Sequence, residues 1–256
     1  MPDLPRITVI TPSFNQASFI AETIQSVLGQ GYPNLQYLVM DGGSTDGTLE
    51  ILKRFEGQIE WSSEKDRGQA DAINKGFRRA SGEIVAYLNS DDRYEPGALL
   101  AVGRYFSNHP QAVWLTGRCR IIDEQGQAMR SAITLYKNLW LRLGSYRVLQ
   151  VLNYISQPAT FWRRSAMDLT GLLDENLHYT LDYDLWLRLG TRHRLHILTQ
   201  TLASFRMHSR SKSRTGFQRQ FDEDLEVAQR YCKGFPILLH RLHSWAIVTT
   251  YTFLTR

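Results

Sequence analysis

Apolar and polar positions alternate in blocks along the first half of the chain. The β-rich run ITVIT is followed by a segment in which Ile20, Ile24, Val27 and Leu28 recur on one helical face, then by LQYLVM and the helical pattern TLEILKRF. The rhythm repeats with IEW, QADAINKGFRRA and EIVAYL, and Pro96 opens a further expected helix running to about residue 108. Short strands separated by helices predict βαβ units and a mostly parallel sheet buried on both faces. The expected fold class is α/β, a central sheet flanked by helices with a Rossmann-like nucleotide-binding half.

The second half is less regular. VWLTGRCRIIDEQGQAM reads as a strand or hairpin around EQGQ, and residues 133–155 read as amphipathic helices. An extended SQPATFW, a short helix near 165–169, the turn LLDENL and a helix beginning at DYDLWLRL complete the pattern to about residue 190. From residue 216 the pattern is helical again, with Leu238, Leu242, Trp245 and Phe253 on one side. That predicts residues 1–215 as the main domain and 216–256 as a C-terminal helical extension. With Arg241, His240 and His243 beside its apolar side, the extension fits a membrane interface, the domain surface or a partner subunit.

With 43% hydrophobic residues the chain can bury a sizeable core, and no linker-like stretch divides it. Cys119 and Cys232 lie far apart and match neither a metal spacing nor a disulfide framework, which suits a reducing compartment. The start MPDLPRITVI does not resemble a secretory signal, so a cytoplasmic setting is expected, including the inner face of the membrane. No run reaches the roughly eighteen apolar residues of a spanning helix. A net charge of +5 favours anionic partners such as phosphates, nucleotides or acidic lipid, and no nucleic acid is called for.

Ligands of such sheets bind beyond the carboxyl ends of the strands. Four polar loops are expected there: PSFNQ, DGGSTDGT, SSEKDRG and NSDD. Any one of them is ordinary turn and cap chemistry; four on one rim suggest a site. Asp91 and Asp92 stand side by side where a buried strand emerges, an unfavourable pairing unless a cation neutralises it, and hard oxygen ligands suit Mg²⁺ or Mn²⁺. Capping the following helix, or simple exposure, are the bland alternatives.

TPSFNQ, DGGSTDGT, KDRGQADAINKGFRRASGEIVAYLNSDD and DYDLWLRL, in this order, resemble the inverting nucleotide-sugar glycosyltransferases of family 2, which have the GT-A fold. The resemblance covers roughly residues 6–210. It implies that Thr11, Pro12, Ser13 and Asn15 border the nucleotide, and that Asp41 hydrogen-bonds the base. Asp66, Asp71 and Lys75 would line the nucleotide and donor-sugar pocket. Asp91 and Asp92 would form the metal and ribose motif, in which Asn89 stands where the family often has an aspartate. The implied donor is a nucleotide-diphosphate sugar, with UDP-sugar favoured. The implied acceptor is a carbohydrate or lipid-linked molecule of bacterial surface polysaccharide assembly.

Asp182 falls where the family places the general base that takes the acceptor's proton, although Leu181 replaces the usual preceding acid. It also reads as a helix N-cap, and Asp184 is the reserve candidate. SFRMHSRSKSRTGFQR is expected as one basic loop carrying Arg206, His208, Arg210, Lys212 and Arg214. The resemblance makes Arg206 a phosphate contact and His208 a metal ligand; a solvated loop is the bland alternative. The chain has no GxxxxGK[ST] phosphate loop, GxSxG elbow, HExxH or zinc-like cluster. A non-catalytic nucleotide-sugar scaffold and a sugar nucleotidyltransferase remain as alternatives. The second needs glycine and a cation in its first loop, and PSFNQ has neither.

Overall fold

A computed structural model describes residues 4–209, 211–212 and 216–254. Strands β1 (Ile7–Ser13), β2 (Leu35–Asp41), β3 (Glu60–Ser63) and β4 (Ile84–Tyr87) pair in parallel in the order β3-β2-β1-β4. They are joined by α1 (Ile20–Leu28), α2 (Thr48–Arg54) and α3 (Gln69–Arg79). Successive residues point to opposite faces: Val9, Val39 and Ala86 enter one hydrophobic cluster, Ile10, Leu38 and Val85 the other. Both faces are thus covered, which is why these strands read as continuous apolar runs.

The later strands make the sheet mixed. After the short β5 (Arg93–Tyr94) and α4 (Ala98–Asn108) come β6 (Trp114–Ile122) and β7 (Ala128–Met129), the predicted hairpin. Helices α5 (Ser131–Leu143) and α6 (Tyr146–Leu149) lead to β8 (Thr160–Arg163), which lies antiparallel to both β4 and β6. Past α7 (Met167–Thr170) and α8 (Leu181–Gly190) runs β9 (Leu195–Arg206), parallel to β6 and antiparallel to β5. Two helices close the described chain, α9 (Phe217–Tyr231) and α10 (Phe235–Leu254).

The sequence pattern shows no strand at 195–206 and assigns Ser204, Phe205 and Arg206 to a loop; these residues instead form the end of β9. Residues Thr199 and Gln200 are exposed in its middle, and this interrupts the apolar alternation by which strands are recognised. Arg210 and Arg214 of the expected basic loop lie outside the described residues, as does the side chain of Phe253.

Helix α8 is held on the sheet by aromatic packing. Trp186 stacks on Trp114 at 5.8 Å and meets Trp162 edge-on at 5.5 Å, all three fully buried. Truncating such a side chain costs about 3–5 kcal/mol, so the start of α8 is firmly placed. Helix α9 in turn packs along α8, and its Val227 and Ala228, with Cys232 just beyond its end, share the core cluster that contains Trp186.

Candidate active site

Strands β1, β2 and β3 end in register at Ser13, Asp41 and Ser63, and β4 emerges beside them. The four polar loops therefore meet on one rim. Asp41 closes β2 with a buried carboxylate that accepts from the amides of Gly43 (3.0 Å) and Ser44 (2.9 Å) and from the hydroxyls of Ser44 (2.5 Å) and Ser63 (2.7 Å). Asn15 sits in the left-handed region at φ 53°, which asparagine tolerates. Its amide donates to Ser44 Oγ at 2.8 Å, and its side-chain oxygen accepts from the Thr45 amide at 2.9 Å. The first two loops thus form one unit. Thr11 and Pro12 are buried beneath it, with Thr11 Oγ1 3.0 Å from the Tyr37 hydroxyl. The buried Ser13 hydroxyl has no hydrogen-bond partner among the described residues.

On the neighbouring loop Asp66 accepts from the Gly68 amide at 2.9 Å. Gly42 lets it approach: a Cβ there would lie 2.4 Å from Asp66 Oδ2. Asp71, buried in the first turn of α3, accepts from the Arg67 amide at 3.1 Å and pairs with the Arg67 guanidinium at 3.2 Å. Lys75 lies 3.6 Å from Asp71 and 3.0 Å from Glu64. Asp71 and Lys75 thereby brace the 64–75 turn that carries Asp66.

The YLNSDD stretch separates its two carboxylates. Asp92 is only 1% exposed; its Oδ1 accepts from the Arg206 amide at 2.8 Å, and the Asn89 amide points to its Oδ2 at 3.4 Å. Burial, and then the charge of Asp91, push the Asp92 carboxyl well above the usual range. Asp91 is more open, and its Oδ2 lies 3.0 Å from His208 Nε2. His208 is 4% exposed and packs on Phe19 with ring centroids 4.8 Å apart. Adjacent ligands about 2.1 Å from an octahedral ion sit about 3 Å apart, so this oxygen and nitrogen have the spacing and the chemistry of two neighbouring cation ligands. Among the described residues no group of three or more His, Cys, Asp or Glu side chains closes a metal site.

Arg206 does not reach the mouth. It is 1% exposed, its Nε donates to the Asp91 carbonyl at 2.9 Å, and its Nη1 donates to the carbonyls of Asp123 (3.0 Å) and Glu124 (2.9 Å). Its Nη2 pairs with Glu22 at 2.5 Å, and the guanidinium lies over Phe19, 5.2 Å from the ring centroid. The phosphate contact expected of Arg206 is thus replaced by a scaffold role, because β9 turns the side chain inward. Lys212 takes the exposed position: its Nζ donates to Gln69 Oε1 at 2.8 Å, while Gln69 donates to Asn89 Oδ1 at 2.7 Å. Asp66 and Asp91 both act on the Lys212 charge.

Asp182 occupies the first turn of α8, where Thr180 and not Asp182 is the N-cap residue. Its Oδ1 accepts from the Tyr183 amide at 2.8 Å, and burial raises its carboxyl above the usual range. The side chains of Asn153 and Lys137 partly offset that shift. Tyr87, at the end of β4, feels the charges of both Asp182 and Asp92, so the base candidate and the acidic pair flank one strand end. Asp184, the reserve candidate, is buried and taken: Arg188 Nη2 pairs with it at 2.7 Å and the Tyr231 hydroxyl donates to it at 2.7 Å.

A curled mixed sheet flanked by helices, with an acidic pair and a braced loop unit at the strand ends, defines an α/β protein whose candidate site lies on the rim beyond its parallel strands. The family model described as Glycosyl transferase family 2 matches residues 8–170, more than half of the chain, and the chain belongs to that family. It is 40% identical over 99 residues to the putative teichuronic acid biosynthesis glycosyltransferase TuaG of Bacillus subtilis, a match covering 37% of this chain and 39% of that protein. It is 25% identical over 239 residues to an uncharacterized glycosyltransferase of Rickettsia typhi, covering 90% of this chain and 71% of the relative.

Two solved structures share the fold. The mannosyltransferase PcManGT of Pyrobaculum calidifontis, in complex with GDP-Man and Mn²⁺, superposes with a TM-score of 0.71 at 21% identity over 96% of this chain and 71% of its own. TarS 1-349 of S. aureus, in complex with UDP-GlcNAc, gives a TM-score of 0.67 at 17% identity over 87% and 66%. The fold is GT-A.

Proposed function

We propose that the chain transfers a sugar from a nucleoside diphosphate donor to a hydroxyl of a carbohydrate or lipid-linked acceptor, with inversion and with Mg²⁺ or Mn²⁺. The observation that carries this reading is the pair formed by Asp91 Oδ2 and His208 Nε2, 3.0 Å apart on the same rim as the half-buried Asp182. Asp91 and His208 would hold the cation, which when bound supplies Lewis-acid neutralisation of the departing diphosphate. Two protein ligands suffice where substrate phosphates complete the shell. The neighbours' complexes with UDP-GlcNAc and with GDP-Man and Mn²⁺ favour the same donor class.

Ser13, with its unpartnered hydroxyl, and the Asp41-braced loop would receive the nucleotide, and Asp66 its sugar side. Lys212 would meet the diphosphate from above. Asp182 would take the acceptor hydroxyl's proton as that oxygen bonds to the anomeric carbon and the bond to the diphosphate breaks on the opposite face. A carboxylate raised by burial is suited to that task, since general bases work best with a pKa near the operating pH.

A peripheral membrane contact belongs to the same proposal. Leu135, Leu139 and Leu143 are exposed at four-residue spacing on α5, and Leu238, Leu242 and Trp245 are exposed on α10. The Tyr136 hydroxyl lies 2.9 Å from His243 Nε2 and brings the two stripes together. Residues 125–167 and 227–256 contain no Asp or Glu, whereas Arg142, Arg147, Lys233 and Arg241 are exposed there. An apolar face free of acids and edged by cations fits an anionic lipid surface, where a lipid-linked acceptor would be found. No helix among the described residues is long and apolar enough to cross a membrane.

The test is turnover of UDP- and GDP-sugars with Mn²⁺, followed by release of the nucleoside diphosphate. Asp182→Asn should retain donor binding and lose roughly 10²–10⁴-fold in transfer. Asp91→Ala and His208→Ala should lose the Mn²⁺-dependent part of donor affinity. Unchanged turnover in Asp182→Asn removes the base assignment, and a product of retained anomeric configuration removes inversion.

A further inference from the structure

Asp224 is a buried carboxylate that the proposed chemistry leaves unused. It is 9% exposed, it makes no hydrogen bond or ion pair to a described residue, and its oxygens are not sealed from solvent. Its place in α9 explains its direction. Val227 and Ala228 lie three and four residues on, so Asp224 shares their fully buried face.

The adjacent Glu223 ties α9 to the turn just before Asp182. Its carboxylate accepts from the amides of His178 (2.9 Å), Tyr179 (2.6 Å) and Thr180 (2.8 Å). Asp224 therefore stands beside the first turn of α8.

Two further groups converge on that corner. Lys137 reaches inward from α5, its Nζ 3.5 Å from the Ile155 carbonyl. Its charge is felt by both Asp182 and Asp224. Asn153, in the same 152–156 turn, presents its side chain to Asp182 while its own Oδ1 is buried with no hydrogen-bond partner. Asp182, Lys137 and Asn153 are all partly exposed, and Asp224 is 9% exposed. Two unpartnered oxygen acceptors and one ammonium donor surround the group assigned as base.

We infer that Asp224, Asn153 and Lys137 form the acceptor subsite, which holds neighbouring hydroxyl groups of an uncharged sugar beside Asp182. A sugar hydroxyl donates and accepts at once, so a pair of them can satisfy Asp224 and Asn153 Oδ1 and still accept from Lys137. Once Asp182 and Asp224 are ionised, a carboxylated sugar would bring a third negative charge to them against a single cation. The inference rests on the reading of Asp182 as the base.

The probes are methyl glucoside, methyl galactoside, methyl mannoside and glucuronate, added to the full chain with UDP or GDP and Mg²⁺ and followed by saturation-transfer NMR. At least one neutral glycoside should bind the wild type, with glucuronate ten-fold weaker or worse. Asp224→Ala should weaken the neutral glycoside ten-fold or more without changing nucleotide affinity. Asp224→Asn should keep neutral binding and narrow the discrimination against glucuronate; it carries the test if the alanine variant fails to fold.

Neutral binding unaffected by Asp224→Ala, glucuronate binding as well as the neutral sugars, or no neutral glycoside binding at all would each overturn the subsite. Asp182→Asn separates the two readings. If it still turns over, the base assignment falls while the glycoside data stand on their own.

Discussion

At the scale of single residues, Asp224 sets stability against binding. Burial, and then the charge of Asp182, push its carboxyl well above the usual range. The folded chain thus holds this proton to a higher pH than the unfolded chain, whose carboxyl titrates near 3.9. The stability contributed by the protonated group is fully present below that unfolded value and is lost as pH rises through the folded one. Asp224→Asn should therefore melt with the wild type near pH 4 and above it at pH 8.5, by roughly 1–3 kcal/mol, the usual penalty for an unsatisfied buried polar group. Thermal unfolding at the two pH values decides it; a variant less stable at pH 8.5 would show that the carboxylate has a stabilising partner. Asp91 and Asp92 could be picked out from sequence because they follow an apolar run, and Asp41 and Asp182 through the motifs that resemble the family. Asp224 could not, since FDEDLEVAQRY reads as a helix with a solvated acidic face, and only the packing of α9 on α8 turns Glu223 and Asp224 inward.

At the scale of elements, the parallel half was legible and β9 was not. Strands β1 to β4 are buried on both faces and appear as apolar runs, whereas β9 mixes exposed Thr199 and Gln200 with buried Leu202, Ala203 and Ser204. Its long parallel register with β6 supplies what local pattern lacks. The misplacement matters because β9 carries Arg206 into the interior, where it joins Glu22 of α1, the Asp91 carbonyl and the turn between β6 and β7. The Glu22 side chain is 42% exposed and can turn to water, so the cost of removing Arg206 lies in the carbonyls of Asp91, Asp123 and Glu124 left without their donor, about 1–3 kcal/mol for an unsatisfied buried polar group. Arg206→Ala should lose about that much in urea unfolding and lose Mn²⁺-dependent nucleotide binding with it, since Asp91 and the 207–208 segment are held by the same guanidinium. Arg206→Lys should recover little, because an ammonium cannot reproduce the guanidinium fork. An alanine variant with wild-type stability would remove the clamp.

At the scale of the whole molecule, helix α5 has two faces that belong together. Lys137 points toward the base corner, while Leu135, Leu139 and Leu143 point to solvent beside Leu238, Leu242 and Trp245 of α10. If the outer face lies on a bilayer, the proposed acceptor corner opens within one helix diameter, about 10 Å, of the lipid headgroups. The full chain should then sediment with phosphatidylglycerol-containing vesicles and much less with pure phosphatidylcholine. Raising the salt should weaken the binding. Replacing Arg142 or Arg241 with Gln should weaken it about five-fold each, since a cation near an anionic surface contributes about 1 kcal/mol. Leu139→Asp with Trp245→Asp should abolish binding without altering UDP or GDP affinity, because neither side chain faces the rim. A chain that ignores vesicles of every composition and instead self-associates through this face, with the same double variant restoring the monomer, would make the surface a subunit interface and leave the acceptor to arrive from solution.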